Sequence, residues 1–122
     1  MIGAFLQTVA AFNLVCSGTT GTIDMERPFA PMADPNPVSI TYRIDLQEGR
    51  WCSNDCTSTK PIYQVTSTQI VLEYSEDAPD HFHWLERETG RFVNRLTLFP
   101  RMLMTRGECT RSDFTGFPPL RF

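Results

Sequence analysis

Two histidines one residue apart, His81 and His83, are the nearest this sequence comes to a metal-binding signal. On a strand they share a face, because successive side chains point to opposite sides. Two imidazoles on one face could hold an ion together. Zinc takes three or four nitrogen, sulfur or carboxylate ligands, and Asp77, Asp80 or Glu86 are close enough in the chain to help. No third ligand stands at a diagnostic spacing. The plainer reading sets both imidazoles on a solvent face opposite Phe82 and Trp84, so the expectation is no metal and no cofactor.

Carboxylates are the second group that could do chemistry. Glu73, Glu76, Asp77 and Asp80, with Asp45 and Glu48 elsewhere, could supply the acid and base of a glycoside hydrolase, which needs two carboxyls of separated pKa across a cleft. Nothing in the sequence marks a cleft, and an acidic turn is ordinarily solvated surface. No serine sits in a G-x-S-x-G elbow, and no glycine-rich phosphate loop is present. The span Cys52-Ser53-Asn54-Asp55-Cys56 lacks the C-x-x-C spacing of a redox pair and is surrounded by no βαβ pattern. It reads as a disulfide closing a small loop. As a nucleophile paired with His81 or His83, either thiol would be consumed by oxidation. No catalytic residue is assigned, and the expectation is a non-enzymatic chain.

Aromatic residues could instead make a binding surface. Trp51, Tyr63, Tyr74, Phe82, Trp84, Phe114, Phe117 and Phe122 would line a barrel mouth, anchor a protein partner, or fill the core. Phe114, Phe117 and Phe122 in the tail, with Trp51 and Trp84, are the binding candidates. No regular strand obliges the three tail rings to be buried.

The elements that position these groups are written most plainly between Val38 and Tyr74. Val38, Ile40, Tyr42, Ile44 and Leu46 alternate with Ser39, Thr41, Arg43, Asp45 and Gln47, which is a half-buried strand. Gln47-Glu48-Gly49-Arg50 follows as a hairpin turn before Trp51 and Cys52. In the segment ending at Tyr74, Ile70, Leu72 and Tyr74 share a face and Val71 lies on the other, so that second side is expected to be partly covered. Pro61 suits a strand start or an edge. Upstream, Ala11 to Thr19 reads as a first strand ended by Ser17-Gly18. Thr19 to Pro37, with Pro28, Pro31, Pro35 and Pro37, reads as a long loop carrying at most a strand fragment over Gly21 to Met25. Downstream, His81 to Arg87, Arg91 to Phe99 and Met102 to Cys109 are strands, with a turn at Glu88-Thr89-Gly90. The tail folds back as an irregular lid. The expected fold is all-β: an antiparallel meander of seven or eight short strands, either a small barrel or a two-layer sandwich.

At 122 residues, one β domain over 12–122 is expected. A net charge of −3 supplies no basic footprint for nucleic acid. Residues 1–11, MIGAFLQTVAA, are either a short export segment without the usual charged start or the lead-in to the first strand, and they are too short to span a bilayer. Four cysteines suggest two disulfides, and three pairings are open. Proximity favours Cys52 with Cys56, which leaves Cys16 with Cys109 to tie the first strand to the last. Disulfides fit a periplasmic or secreted protein.

The stretches FNLVCSGT, YRIDLQEGRWC, ERETGRF and GECTRSDFTGFP together resemble small exported bacterial β-rich proteins of uncharacterised function. The resemblance covers nearly the whole chain, but its motifs are turns, core positions and cysteines. It implies a periplasmic β domain and carries over no catalytic residue. The leading expectation is a domain that binds a protein or envelope component through the loops at Pro28 to Pro37 and Phe114 to Phe122. The alternatives are a closed barrel carrying a small apolar ligand and a hydrolase using the acidic cluster. A solid core with aromatic loops on its surface favours the first, an apolar internal cavity the second, and two close carboxylates in a cleft, one shielded from water, the third.

Overall fold

The two-residue rhythm is satisfied by one antiparallel sheet. The computed structural model describes residues 10–118, which form nine strands and no helix. These are β1 (Ala11–Asp24), β2 (Ala33–Asp45), β3 (Arg50–Ser53), β4 (Lys60–Pro61), β5 (Gln64–Val65), β6 (Gln69–Ser75), β7 (Asp80–Glu86), β8 (Arg91–Leu98) and β9 (Arg101–Ser112). Their order across the sheet is β4-β3-β2-β1-β9-β8-β7-β6-β5. The sheet curls into a half-barrel rather than splitting into two layers. Its edge strands, β4 and β5, are separated in the chain only by Ile62 and Tyr63. The Ile62 N–H donates to the Gly49 carbonyl beside β3, and the Tyr63 N–H donates to the Val71 carbonyl of β6. A single segment therefore steps from one edge of the sheet to the other.

The inner face is packed. Tyr42, Ile44, Phe92, Leu72 and Cys16 are at most 1 % exposed, and Trp51, Ile70, Leu85 and Phe12 join them. Burying these side chains stabilises the curl, at about 1.5–3 kcal/mol for each large aliphatic or aromatic group before the cost of ordering it. The turn after β2 is held by the Asp45 carboxylate, which accepts from the Gln47 and Glu48 N–H groups, while Gly49 takes a φ of 72°. Short polar side chains and glycine hold such turns for these two reasons.

Several expectations are corrected. β1 does not stop at Ser17-Gly18 but runs on to Asp24, paired with both β2 and β9. The proline-rich stretch is not one long loop: Pro35 and Pro37 lie inside β2. They are tolerated because β3 covers only Tyr42 to Asp45 of β2, so the earlier half of that strand is a sheet edge. Only residues 25–32 join β1 to β2. Tyr74 does not share the face of Ile70 and Leu72, because a bulge between Val71 and Glu73 turns it to the other side. The covered second side at Val71 is borne out, at 5 % exposure.

Both disulfides form as Cys16–Cys109 and Cys52–Cys56, and no free cysteine remains. They fit an oxidising environment. No helix among the described residues is long and apolar enough to cross a membrane. Of the 1–11 segment, residues 1–9 lie outside the described residues, and Ala11 is already the first residue of β1.

Candidate functional site

His81 and His83 do share a face, but it is the inner one. In the β7–β8 register His83 stands opposite Asn94 and Leu85 opposite Phe92, so His81, His83 and Leu85 point toward the core. His83 is 4 % exposed. Phe82 and Trp84 take the outer face, which reverses the solvent-facing arrangement of the imidazoles expected from the sequence.

The third member of the inner group comes from β6. There Ile70 pairs with Leu85 and Val71 with Trp84, then a bulge intervenes and Glu73 pairs with His83. Were Leu72 instead paired regularly with His83, continued alternation would set Glu73 beside Phe82 on the outside. The bulge turns the carboxylate inward and sends Tyr74 outward beside Phe82, which is how bulges re-aim side chains. Glu73 Oε2 lies 3.3 Å from His81 Nδ1, and Oε1 lies 3.7 Å from His83 Nδ1 and 3.5 Å from Lys60 Nζ.

The far nitrogens of both rings are occupied. His81 Nε2–H donates to Asn94 Oδ1 at 2.8 Å, and His83 Nε2 shares a 2.7 Å hydrogen bond with the Tyr42 hydroxyl. His83 Nδ1 is buried with no hydrogen-bond partner, as is Trp51 Nε1. Trp51 packs edge-on to the His83 ring at 5.4 Å, and Lys60 Nζ lies 5.4 Å from the Trp51 ring. The facing His83 imidazole, with Lys60 and His81 adding, holds the Glu73 carboxyl down at about 2 although partial burial opposes it. Burial lowers His83 below its ordinary 6.5, against the pull of Glu73. Burial, with Glu73 adding, pushes the Tyr42 phenol upward, so it stays protonated. Asp77, Asp80 and Glu86, considered with the histidines, do not join this group. Among the described residues, the ion-pair partners of Glu73 are the Lys60 ammonium and the two imidazoles.

On the outer face of the same strands lies a chain of rings. Tyr63 meets Tyr74 at 5.4 Å, Tyr74 meets Phe82 at 5.4 Å, and Phe82 meets Trp84 at 4.4 Å. The Arg95 guanidinium lies over both Phe82 and Trp84. Tyr63 is 57 % and Tyr74 38 % exposed. An open groove of ≈ 450 Å³ runs beside them, lined in part by Tyr74, Glu76, Asp80, Phe82 and Arg95. At the other end, a pocket of ≈ 280 Å³ is lined by apolar Phe12, Leu14, Leu46, Ile70 and Leu85 together with charged Glu86, Arg87, Arg91 and Arg111.

The remaining binding candidates scatter. Trp51 is in the core. Phe114 and Phe117 pack edge to face at 5.1 Å, both half-buried, and Phe122 lies outside the described residues. Residues 113–118 lie against the outer face of β1 to β3: Asn13 and Thr115 exchange hydrogen bonds, Arg43 donates to the Gly116 carbonyl, and Arg50 covers Phe117. The lid thus covers the flank of the sheet. Sequence reasoning missed Glu73 as a partner of the histidines, because the uninterrupted apolar run Ile70-Val71-Leu72 gives no sign of the register shift that turns Glu73 inward. It also missed the continuous outer row, because its rings come from three separate segments.

Comparison with known proteins finds no matching family model, no matching curated protein and no matching solved structure.

Proposed function

We propose that this chain is a non-enzymatic binding domain, exported to the periplasm or secreted, and akin to the small exported bacterial β proteins that its motifs resemble. It engages a protein partner through the outer face of β6 to β8 rather than through its loops. The observation that carries this is the unbroken row Tyr63, Tyr74, Phe82 and Trp84 with Arg95 across its last two rings. Tyrosine, tryptophan and arginine are the residues that dominate protein interfaces, since each offers large apolar area and a polar tip. Asp80 and Glu86 stand on the same face of β7, and Glu76 accepts from the Tyr74 hydroxyl. The partner that fits is an apolar patch ringed by basic residues.

The test is a photo-crosslinking phenylalanine analogue in place of Tyr63, in the envelope of an exporting cell. A single saturable protein adduct is expected, competed by excess wild-type domain and not by domain carrying Tyr74→Ser with Arg95→Ser. Competition by both alike, or an adduct with glycan or lipid alone, overturns the reading.

A second reading, carriage of a small apolar ligand, has the ≈ 280 Å³ cavity behind it. That is just below the usual size of ligand pockets, about 300–1,000 Å³, and the interior beyond it is filled by Tyr42, Trp51 and Phe92. Displacement of an apolar fluorescent dye by short fatty acids, lost on Leu14→Trp, would support carriage; a dye that never binds removes it.

A further inference from the structure

We propose that Glu73, His81 and His83 form a binding site for a zinc-like divalent transition-metal ion on the inner face of the half-barrel. The carboxylate and the two Nδ1 atoms are the ligands, and their ligand atoms all lie within 4.8 Å of one another. Two imidazoles and one carboxylate suit zinc and its first-row neighbours rather than calcium or magnesium, which prefer oxygen throughout. Ligands held about 2.0–2.2 Å from a tetrahedral zinc ion stand about 3.3–3.6 Å from one another. Glu73 Oε2 lies 3.3 Å from His81 Nδ1 and Oε1 lies 3.7 Å from His83 Nδ1, and one ligand atom from each residue falls within 4.8 Å of the others, so the three side chains close in on one another to share one ion.

The surroundings are those a metal site requires. A ligating histidine donates its other ring N–H to a fixed acceptor, which sets its tautomer and aims its lone pair. His81 Nε2–H donates to Asn94 Oδ1, and this leaves the Nδ1 lone pair facing Glu73. His83 Nε2 meets the Tyr42 hydroxyl, which can accept as readily as donate, so Nδ1 of His83 is free to present a lone pair too. That Nδ1 is buried, aimed at Glu73 and without a hydrogen-bond partner. A buried polar atom left in this state costs stability, and a ligand supplies what it lacks. The bulge at Leu72 is the backbone feature that brings the carboxylate to this face.

Lys60 marks the place a cation takes. Its ammonium lies 3.5 Å from Glu73 Oε1, on a side chain 57 % exposed, so it can withdraw into solvent when an ion enters. Three protein ligands leave the fourth tetrahedral position to water.

The test uses the full chain stripped with chelator, titrated with Zn2+ by calorimetry and with Co2+ by visible absorption. One ion per chain is expected, with the intense d–d bands of four-coordinate Co2+ displaced by Zn2+. Glu73→Gln and His81→Ala should each weaken binding at least tenfold. Lys60→Met, which removes the competing ammonium, should bind at least as tightly as wild type. Absence of saturation at one equivalent, or affinities unchanged in both ligand variants, overturns the site. So does weaker binding by Lys60→Met, since the ammonium would then belong to whatever site is occupied. If His81→Ala fails to fold, Glu73→Gln, which keeps the side-chain shape, decides together with the Co2+ spectrum.

Discussion

His83 is a buried base whose burial lowers its pKa below 6.5. A group whose folded pKa lies beneath its unfolded one contributes stability that is complete above the unfolded value and is lost as the pH falls through the folded one. Glu73 has the same sign, with a folded value of about 2 and an ordinary value of 4.5. The groups facing them are Lys60 from β4, His81 from β7 and Tyr42 from β2. Urea midpoints of metal-free protein are therefore expected to fall in two stages on acidification, first below about pH 6.5, where the unfolded chain takes up the proton that buried His83 resists, and again below about pH 4.5, where it takes up the proton that Glu73 resists. His83→Gln should abolish the first stage; a midpoint flat from pH 7 to 5 in the wild type would contradict the burial argument. At this scale the pairing of the two histidines was legible from their spacing. Their direction was not, because Phe82 and Trp84 look like the better core residues. The interior at that level is already filled by Tyr42, Trp51 and Phe92, and Arg95 covers the two rings outside.

Among the elements, β1 and β9 set two glycines opposite each other, Gly18 and Gly107, with no room for a side chain between them. A Cβ on Gly107 would lie 2.6 Å from the Gly18 Cα, and one on Gly18 would lie 2.7 Å from the Gly107 Cα. The obstacle is backbone, which cannot rotate away as a side chain can. Gly107→Ala is therefore expected to destabilise the domain by about 1–3 kcal/mol, the range of overpacking substitutions, or more if the pair separates. Chemical denaturation would measure it, and Gly116→Ser is a useful contrast, since no atom lies within 4 Å of a Cβ there and only its positive φ resists. A Gly107→Ala midpoint equal to wild type would mean that the two strands can move apart freely. Strand existence was readable here because alternation is strong in β2, β7 and β8. Strand length was not. Prolines read as breakers turned out to lie on a free edge, and a bulge cannot be seen in a segment as uniformly apolar as Ile70, Val71 and Leu72.

For the whole molecule, the decisive fact is that the first and last long strands pair at the middle of the sheet, in the order β2-β1-β9-β8. Their pairing is the contact most costly in chain entropy, and Cys16–Cys109 closes it across a separation of 93 residues. In the chain-entropy model a loop of that length is worth about 4–5 kcal/mol, against about 2 kcal/mol for the loop closed by a pair four residues apart. Domains of this size are stable by only about 5–15 kcal/mol in total. Cys16→Ala with Cys109→Ala should thus remove a large share of the stability, and Cys52→Ala with Cys56→Ala markedly less. Urea unfolding of the two double variants, each compared with wild type under non-reducing conditions, reads the difference directly. The pairing itself was legible from proximity of Cys52 and Cys56, whereas the β1–β9 register that sets the other two cysteines opposite each other was not. A domain that owes several kcal/mol to one disulfide is weakened wherever thiols are kept reduced. If losing the long bridge shifts the midpoint no further than losing the short one, the sheet alone secures β1 against β9, and the fold no longer requires an oxidising environment.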